Sequence, residues 1–181
     1  MTFACYACHG LGVVQPIDLL AAELNRETPE GVHFNTVGAF NPPLEETEIS
    51  RQIAHDIANG REIIWIGHSM GAALGYYLPQ THPTWRFALV ITVDPMSWAS
   101  NIDCAEWATS PPPPGHWQAK GNFGRWISIH TSQYPGGGVL VNPGPAAEDH
   151  AFPNNDHIGV ILDPRVKKII FDAVLQTVKE T

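Results

Sequence analysis

The chain predicts an α/β fold, a three-layer sandwich whose mostly parallel central sheet has about five strands. Apolar runs of strand length alternate with amphipathic helical stretches in the order β-α-β-α-β-α-β, the pattern of parallel strands joined by crossover helices. Ile63, Ile64, Trp65 and Ile66 follow one another without a polar break, as a central strand buried on both faces requires. The chain then closes on a helix with a regular apolar stripe.

The first strand spans Phe3 to Cys8 and ends at His9-Gly10-Leu11-Gly12. A helix from Pro16 to Arg26 follows, with Leu19, Leu20 and Leu24 assigned to its buried face. Val32 to Ala39 is the second strand. Glu45 to Asn59 is a helix in which Ile49, Ile53 and Ile57 form a core stripe and Gly60 the stop. Glu62 to Gly67 is the third strand, Gly71 to His82 the next helix, and Phe87 to Val93 a β-branched strand that ends at Asp94-Pro95. Residues 95 to 124, with Trp98, Trp107, Trp117 and the run Pro111 to Pro114, read as a loop-rich insertion. Trp126 to Thr131 returns to strand character, Gly136-Gly137-Gly138 marks a turn and Val139 to Val141 a short returning strand. Asp163-Pro164 opens the last helix, with Val166, Ile169, Ile170, Ala173, Val174 and Val178 inward.

Length and composition bound what such a sheet can be. A chain of 181 residues with 44% hydrophobic and 15% charged residues fits one globular domain over 1–181, with no staple needed to hold its core. The formal charge of −8, from 18 acidic and 10 basic residues with no basic cluster larger than Lys167-Lys168, repels a phosphate backbone and excludes nucleic acid as a partner. Met1-Thr2-Phe3-Ala4-Cys5 has none of the features of a secretory signal, and no apolar stretch reaches the roughly 20 residues of a membrane span. A soluble, cytoplasmic protein is therefore expected. Cys5, Cys8 and Cys104 make an odd count, which argues against a disulfide framework. Cys5 and Cys8 have C-x-x-C spacing, but on a strand residues three apart face opposite ways, so both are read as buried small hydrophobes rather than metal ligands.

The chemistry is carried by Gly67-His68-Ser69-Met70-Gly71, which matches G-x-S-x-G between a buried strand and a helix. Small residues two before and two after the serine are needed because the strand turns so sharply into the helix that a side chain there would collide. The turn is strained and holds the Ser69 hydroxyl exposed at the sheet's carboxyl edge, with the Met70 N–H aimed at a developing oxyanion.

A serine hydroxyl needs a base, and behind such an elbow the acid and then the histidine follow in chain order. His157 stands in the loop before the terminal helix, from which it can return to the carboxyl edge. His150, seven residues upstream, is the runner-up, while His82, His116 and His130 read as solvated or packed rings. Asp94 ends the strand after the elbow's helix, one strand spacing of about 4.8 Å from Ser69, and is the first candidate for the acid that holds the imidazole. Glu148, Asp149 and Asp156 compete with it. A second oxyanion donor is expected from the turn after the first strand, at the N–H of Leu11 or else Gly10.

On these residues, His9-Gly10-Leu11-Gly12, Gly67-His68-Ser69-Met70-Gly71, Val93-Asp94-Pro95 and Asp156-His157, the chain resembles the α/β-hydrolase superfamily over nearly its whole length. An acid directly after the strand following the elbow is similar to the arrangement in pancreatic-type lipases. The short, cap-less chain resembles cutinases and phage cell-envelope esterases, although cutinases usually carry the paired disulfides that this chain lacks. The resemblance implies a minimal α/β-hydrolase fold and a serine esterase or lipase acting on a small-molecule or lipid-like ester, with no metal or organic cofactor. Residues 95 to 124 would then supply a small tryptophan-rich lid. Thioesterase or amidase activity on the same triad, and a non-catalytic binding protein on the same fold, are the alternatives.

Overall fold

Six strands, all parallel, form the central sheet of the computed structural model, which describes residues 2–10, 16–38, 42–95, 118–131 and 143–180. In chain order they are β1 Thr2–His9, β2 Phe34–Gly38, β3 Arg61–His68, β4 Phe87–Val93, β5 Phe123–His130 and β6 Glu148–Ala151. The helices are α1 Pro16–Glu27, α2 Pro42–Ala58, α3 Met70–Thr81, α4 Gly159–Leu162 and α5 Pro164–Lys179. Among the described residues, no helix is long and apolar enough to cross a membrane.

The three-layer prediction holds, with six strands in place of about five. The additional strand is β6, which the sequence reading leaves as loop; the anticipated strand at Val139 to Val141 lies outside the described residues, as do the glycine turn before it and the tryptophans and prolines of residues 96–117. β5 begins at Phe123, three residues before the expected Trp126.

Alternation along each strand builds two cores. Cys5 and Ala7 of β1, Ile64 and Ile66 of β3, and Ile127 and Ile129 of β5 face α1, α4 and α5, where they meet Leu20, Leu24, Val160, Ile161, Val166, Ile170 and Val174. Ala4, Tyr6 and Cys8 of β1, with Ile63 and Trp65 of β3, face α2 and α3, packing with Ile49, Ile53, Tyr76 and Leu78. Cys5 and Cys8 thus lie in opposite layers, both buried, and burial pushes the Cys5 thiol up to about 12. One expected contact fails. Leu19 is exposed, because the buried stripe of α1 is Ile17, Leu20, Ala21 and Leu24, and at 100° per residue Leu19 falls on the opposite side.

The strand order β2-β1-β3-β4-β5-β6 places the first crossover on one side of β1 and all later strands on the other. The chain reverses direction across the sheet between β1 and β3, and the carboxyl ends of those two strands open a crevice where ligands bind in open α/β sheets. Register fixes what stands there: Cys8 pairs with Gly67, and His68 pairs with Val93. The residues that follow β1, β3 and β4, namely Gly10, Ser69 and Asp94, therefore come together at one edge.

Candidate active site

Ser69 lies between β3 and α3 with φ 59° and ψ −121°. Among the described non-glycine residues, only Ser69 and Asp94, the latter at φ 45°, have positive φ. A left-handed backbone at a non-glycine residue costs on the order of 1–3 kcal/mol, and such strain concentrates at functional sites. The strained bend is held from both sides. The Ser69 N–H donates to the Val93 carbonyl of β4 at 3.1 Å, and the Ser69 carbonyl accepts from the N–H groups of Ala72 and Ala73, also at 3.1 Å.

The flanking glycines are required by contact rather than by conformation. A Cβ at Gly67 would stand 2.2 Å from the Gly71 carbonyl oxygen, and one at Gly71 would stand 2.1 Å from the Cys8 carbonyl oxygen of β1. Both obstacles are backbone atoms inside the sheet and helix, so neither can swing away. Gly71→Ala is expected to destabilise the fold by about 1–3 kcal/mol, the usual scale of overpacking, and to lower the midpoint of urea unfolding accordingly.

Asp94 is buried directly beyond β4, its N–H donating to the Ile129 carbonyl at 2.7 Å. Its carboxylate accepts three hydrogen bonds. The Thr131 N–H and hydroxyl donate to Oδ1 at 2.9 and 3.0 Å, and His157 Nδ1–H donates to Oδ2 at 2.6 Å. Burial raises the Asp94 carboxyl, but the bonds from His157 and Thr131 outweigh it and hold the group below the ordinary carboxylate value. A carboxylate at Nδ1 fixes the neutral ring with its proton on that nitrogen and the lone pair on Nε2, the form a general base needs.

His157 arrives on the segment between β6 and α4. Asp156 builds its turn: Oδ1 accepts from the N–H groups of Ile158 and Gly159, and the main-chain oxygen accepts from Val160 at 3.0 Å. Asp163 starts the next helix, accepting from the Arg165 N–H at 2.8 Å. His68, the residue before Ser69, closes the arrangement. Its Nε2–H donates to the His157 carbonyl at 2.8 Å, and the two rings stack with centroids 4.7 Å apart.

The rival residues are engaged elsewhere. His150 is a strand residue of β6, bonded through Nε2 to Glu148 at 2.7 Å, and Glu148 also accepts from Arg125 at 2.6 Å. Asp149 pairs with the ring of His130 at 3.2 Å. Asp156 caps α4. Met70 begins α3, and Leu11 lies outside the described residues. Gly10 stands against the elbow: a Cβ there would be 2.9 Å from Ser69 Oγ and 3.1 Å from the Met70 nitrogen. This close approach of the chain after β1 is one reason that Ser69 is 7% exposed, less open than an elbow serine is expected to be. Sequence reasoning missed two partners. His68 could have been found from its place inside the G-x-S-x-G motif, whereas nothing in the sequence marks Thr131.

No protein-family model matches the chain, and no curated protein matches it. Among solved structures, one described under LipS and LipT, two metagenome-derived lipolytic enzymes, superposes with a TM-score of 0.55 at 15% identity, covering 99% of this chain and 95% of that one. The chain shares its fold with a lipolytic enzyme. At that identity the likeness lies in the backbone, a parallel sheet between two helical layers, shared by two chains that differ at most positions. The chemistry rests on the side chains that the fold gathers at the ends of β3 and β4.

Proposed function

We propose that the chain is a serine hydrolase that cleaves a carboxylic ester through an acyl-enzyme on Ser69, with His157 as general base and Asp94 as the acid that holds it. One observation carries the reading: an imidazole bonded at 2.6 Å to the buried carboxylate that follows β4, on the same sheet edge as a serine at φ 59°. In the first step Ser69 Oγ bonds to the ester carbonyl carbon while His157 Nε2 takes its proton. The tetrahedral intermediate collapses, the alcohol leaves with that proton, and the acyl group stays on Ser69. Water then attacks the acyl carbon as His157 removes its proton. The carboxylic acid departs and the proton returns to Ser69.

Main-chain N–H groups of Met70 and of Leu11 or Gly10 would hold the oxyanion in both intermediates, a role that the approach of Gly10 to Ser69 and Met70 supports. Side chains, main chain and water complete every step. The lipolytic enzyme of the same fold supports an ester, small or lipid-like, as the substrate class. The single six-stranded parallel sheet supports one catalytic domain. The same machinery would open a thioester or amide, so a panel of matched esters, thioesters and amides ranks the three.

A fluorescent fluorophosphonate tests the proposal, since it phosphonylates only an activated serine. Wild type should be labelled within minutes, and Ser69→Ala should show none of that labelling. Equal labelling of both would remove Ser69 from the mechanism.

A further inference from the structure

We propose that His68 is a positioning residue for the base, its imidazole clamping the main chain and ring of His157 so that Nε2 is presented to Ser69. The inference rests on the reading of Ser69, His157 and Asp94 given above. Asp94 holds His157 at Nδ1. His68 adds two further contacts, a hydrogen bond to the His157 carbonyl and a flat face 4.7 Å from its ring at an interplanar angle of 27°.

The choice of residue is hard to explain by packing. His68 is wholly buried, and its Nδ1 has no hydrogen-bond partner among the described residues. A half-satisfied polar ring is costly in a core, so packing alone does not call for an imidazole at this position. Positioning explains the imidazole. The site calls for a donor, a planar face and no charge, and few side chains combine the three. Lysine or arginine would place a permanent positive charge beside His157 and oppose its protonation in the transition state. The groups that act on His68 electrostatically are His157 and Asp94. Burial first, and then the charge His157 would carry, lower His68 to about 4, so the ring stays a neutral donor at neutral pH.

The test compares wild type with His68→Phe, which keeps a stacked ring and loses the donor, and His68→Gln, which keeps a donor and loses the ring. kcat and KM for 4-nitrophenyl acetate are measured with the rate of fluorophosphonate labelling and the thermal midpoint. For His68→Phe, kcat and labelling rate should fall about 10- to 100-fold, the penalty for a base misplaced by about an ångström, with KM and thermal midpoint little changed. His68→Gln should recover part of the loss. Rates within twofold of wild type in a folded His68→Phe would overturn the proposal. If neither variant folds, ¹⁵N imidazole shifts of wild type decide it: a neutral His68 protonated at Nε2 supports the clamp, and a charged or Nδ1-protonated ring overturns it. A wild type that fluorophosphonate does not label means instead that the serine-hydrolase reading has failed and the clamp with it.

Discussion

Ser69→Ala is expected to lower kcat for 4-nitrophenyl acetate by roughly 10⁴- to 10⁶-fold, the scale on which removal of the nucleophile acts when serine and histidine work as one unit. Without the hydroxyl His157 has no oxygen to deprotonate except that of water. The residual rate should still exceed the uncatalysed one, because the proposed oxyanion donors, the N–H groups of Met70 and of Leu11 or Gly10, do not involve the Ser69 side chain. KM should change little, since the substituted hydroxyl gains its energy in the transition state and not in ground-state binding. The fold should survive. Alanine and serine both occupy the positive-φ bend at similar cost, and the main-chain bonds from Ser69 to Val93, Ala72 and Ala73 do not involve the side chain. Steady-state kinetics with a thermal melt of both proteins check this, and a variant that keeps more than a tenth of the wild-type kcat would refute it.

The bend at Ser69 was legible because its constraint is local: the glycines two before and two after it stand where an added Cβ would lie 2.2 and 2.1 Å from backbone oxygens. The meeting of Asp94 with His157 was legible for a different reason. Parallel strands put the residues after β3 and β4 side by side, and a loop before the last helix returns to that same edge. The polar strand β6 was not legible, since Glu148-Asp149-His150-Ala151 has neither an apolar run nor alternation. It is a strand because β5 offers a free edge, with Ile127 paired to Glu148 and Ile129 to His150, and because Arg125 and His130 hold its carboxylates. The short helix α4 spans four residues, Gly159–Leu162, too small a pattern to stand out from a loop. The contact between His68 and the carbonyl of a residue 89 positions away is purely tertiary, and no periodicity in the chain encodes it.

Asp94→Asn and Asp149→Asn separate the assigned acid from its nearest rival in one assay. Asparagine keeps the shape of the aspartate, and its single carbonyl oxygen must continue to accept from the Thr131 N–H and hydroxyl, bonded at 2.9 and 3.0 Å in the native protein. That leaves the amide NH₂ facing His157 Nδ1, where it donates instead of accepting. The imidazole then carries its proton on Nε2, the nitrogen that has to take one from Ser69, and the negative charge that would stabilise the imidazolium is gone. Both losses fall on the transition state, so kcat should drop by roughly 10³- to 10⁴-fold with KM little affected. Asp149 shares only a surface contact with His130, an interaction worth less than about 1 kcal/mol, and its asparagine variant should stay within about twofold of wild type. The acid–base behaviour adds a second readout. Since His157 and Thr131 hold the folded Asp94 carboxyl below its unfolded value, its stabilising effect is complete above the ordinary carboxylate range and is lost as pH falls through the depressed value. The stability difference between wild type and Asp94→Asn should therefore shrink on acidification. Loss of activity in Asp149→Asn with Asp94→Asn intact would transfer the role to the other carboxylate, and with it the orientation of the base.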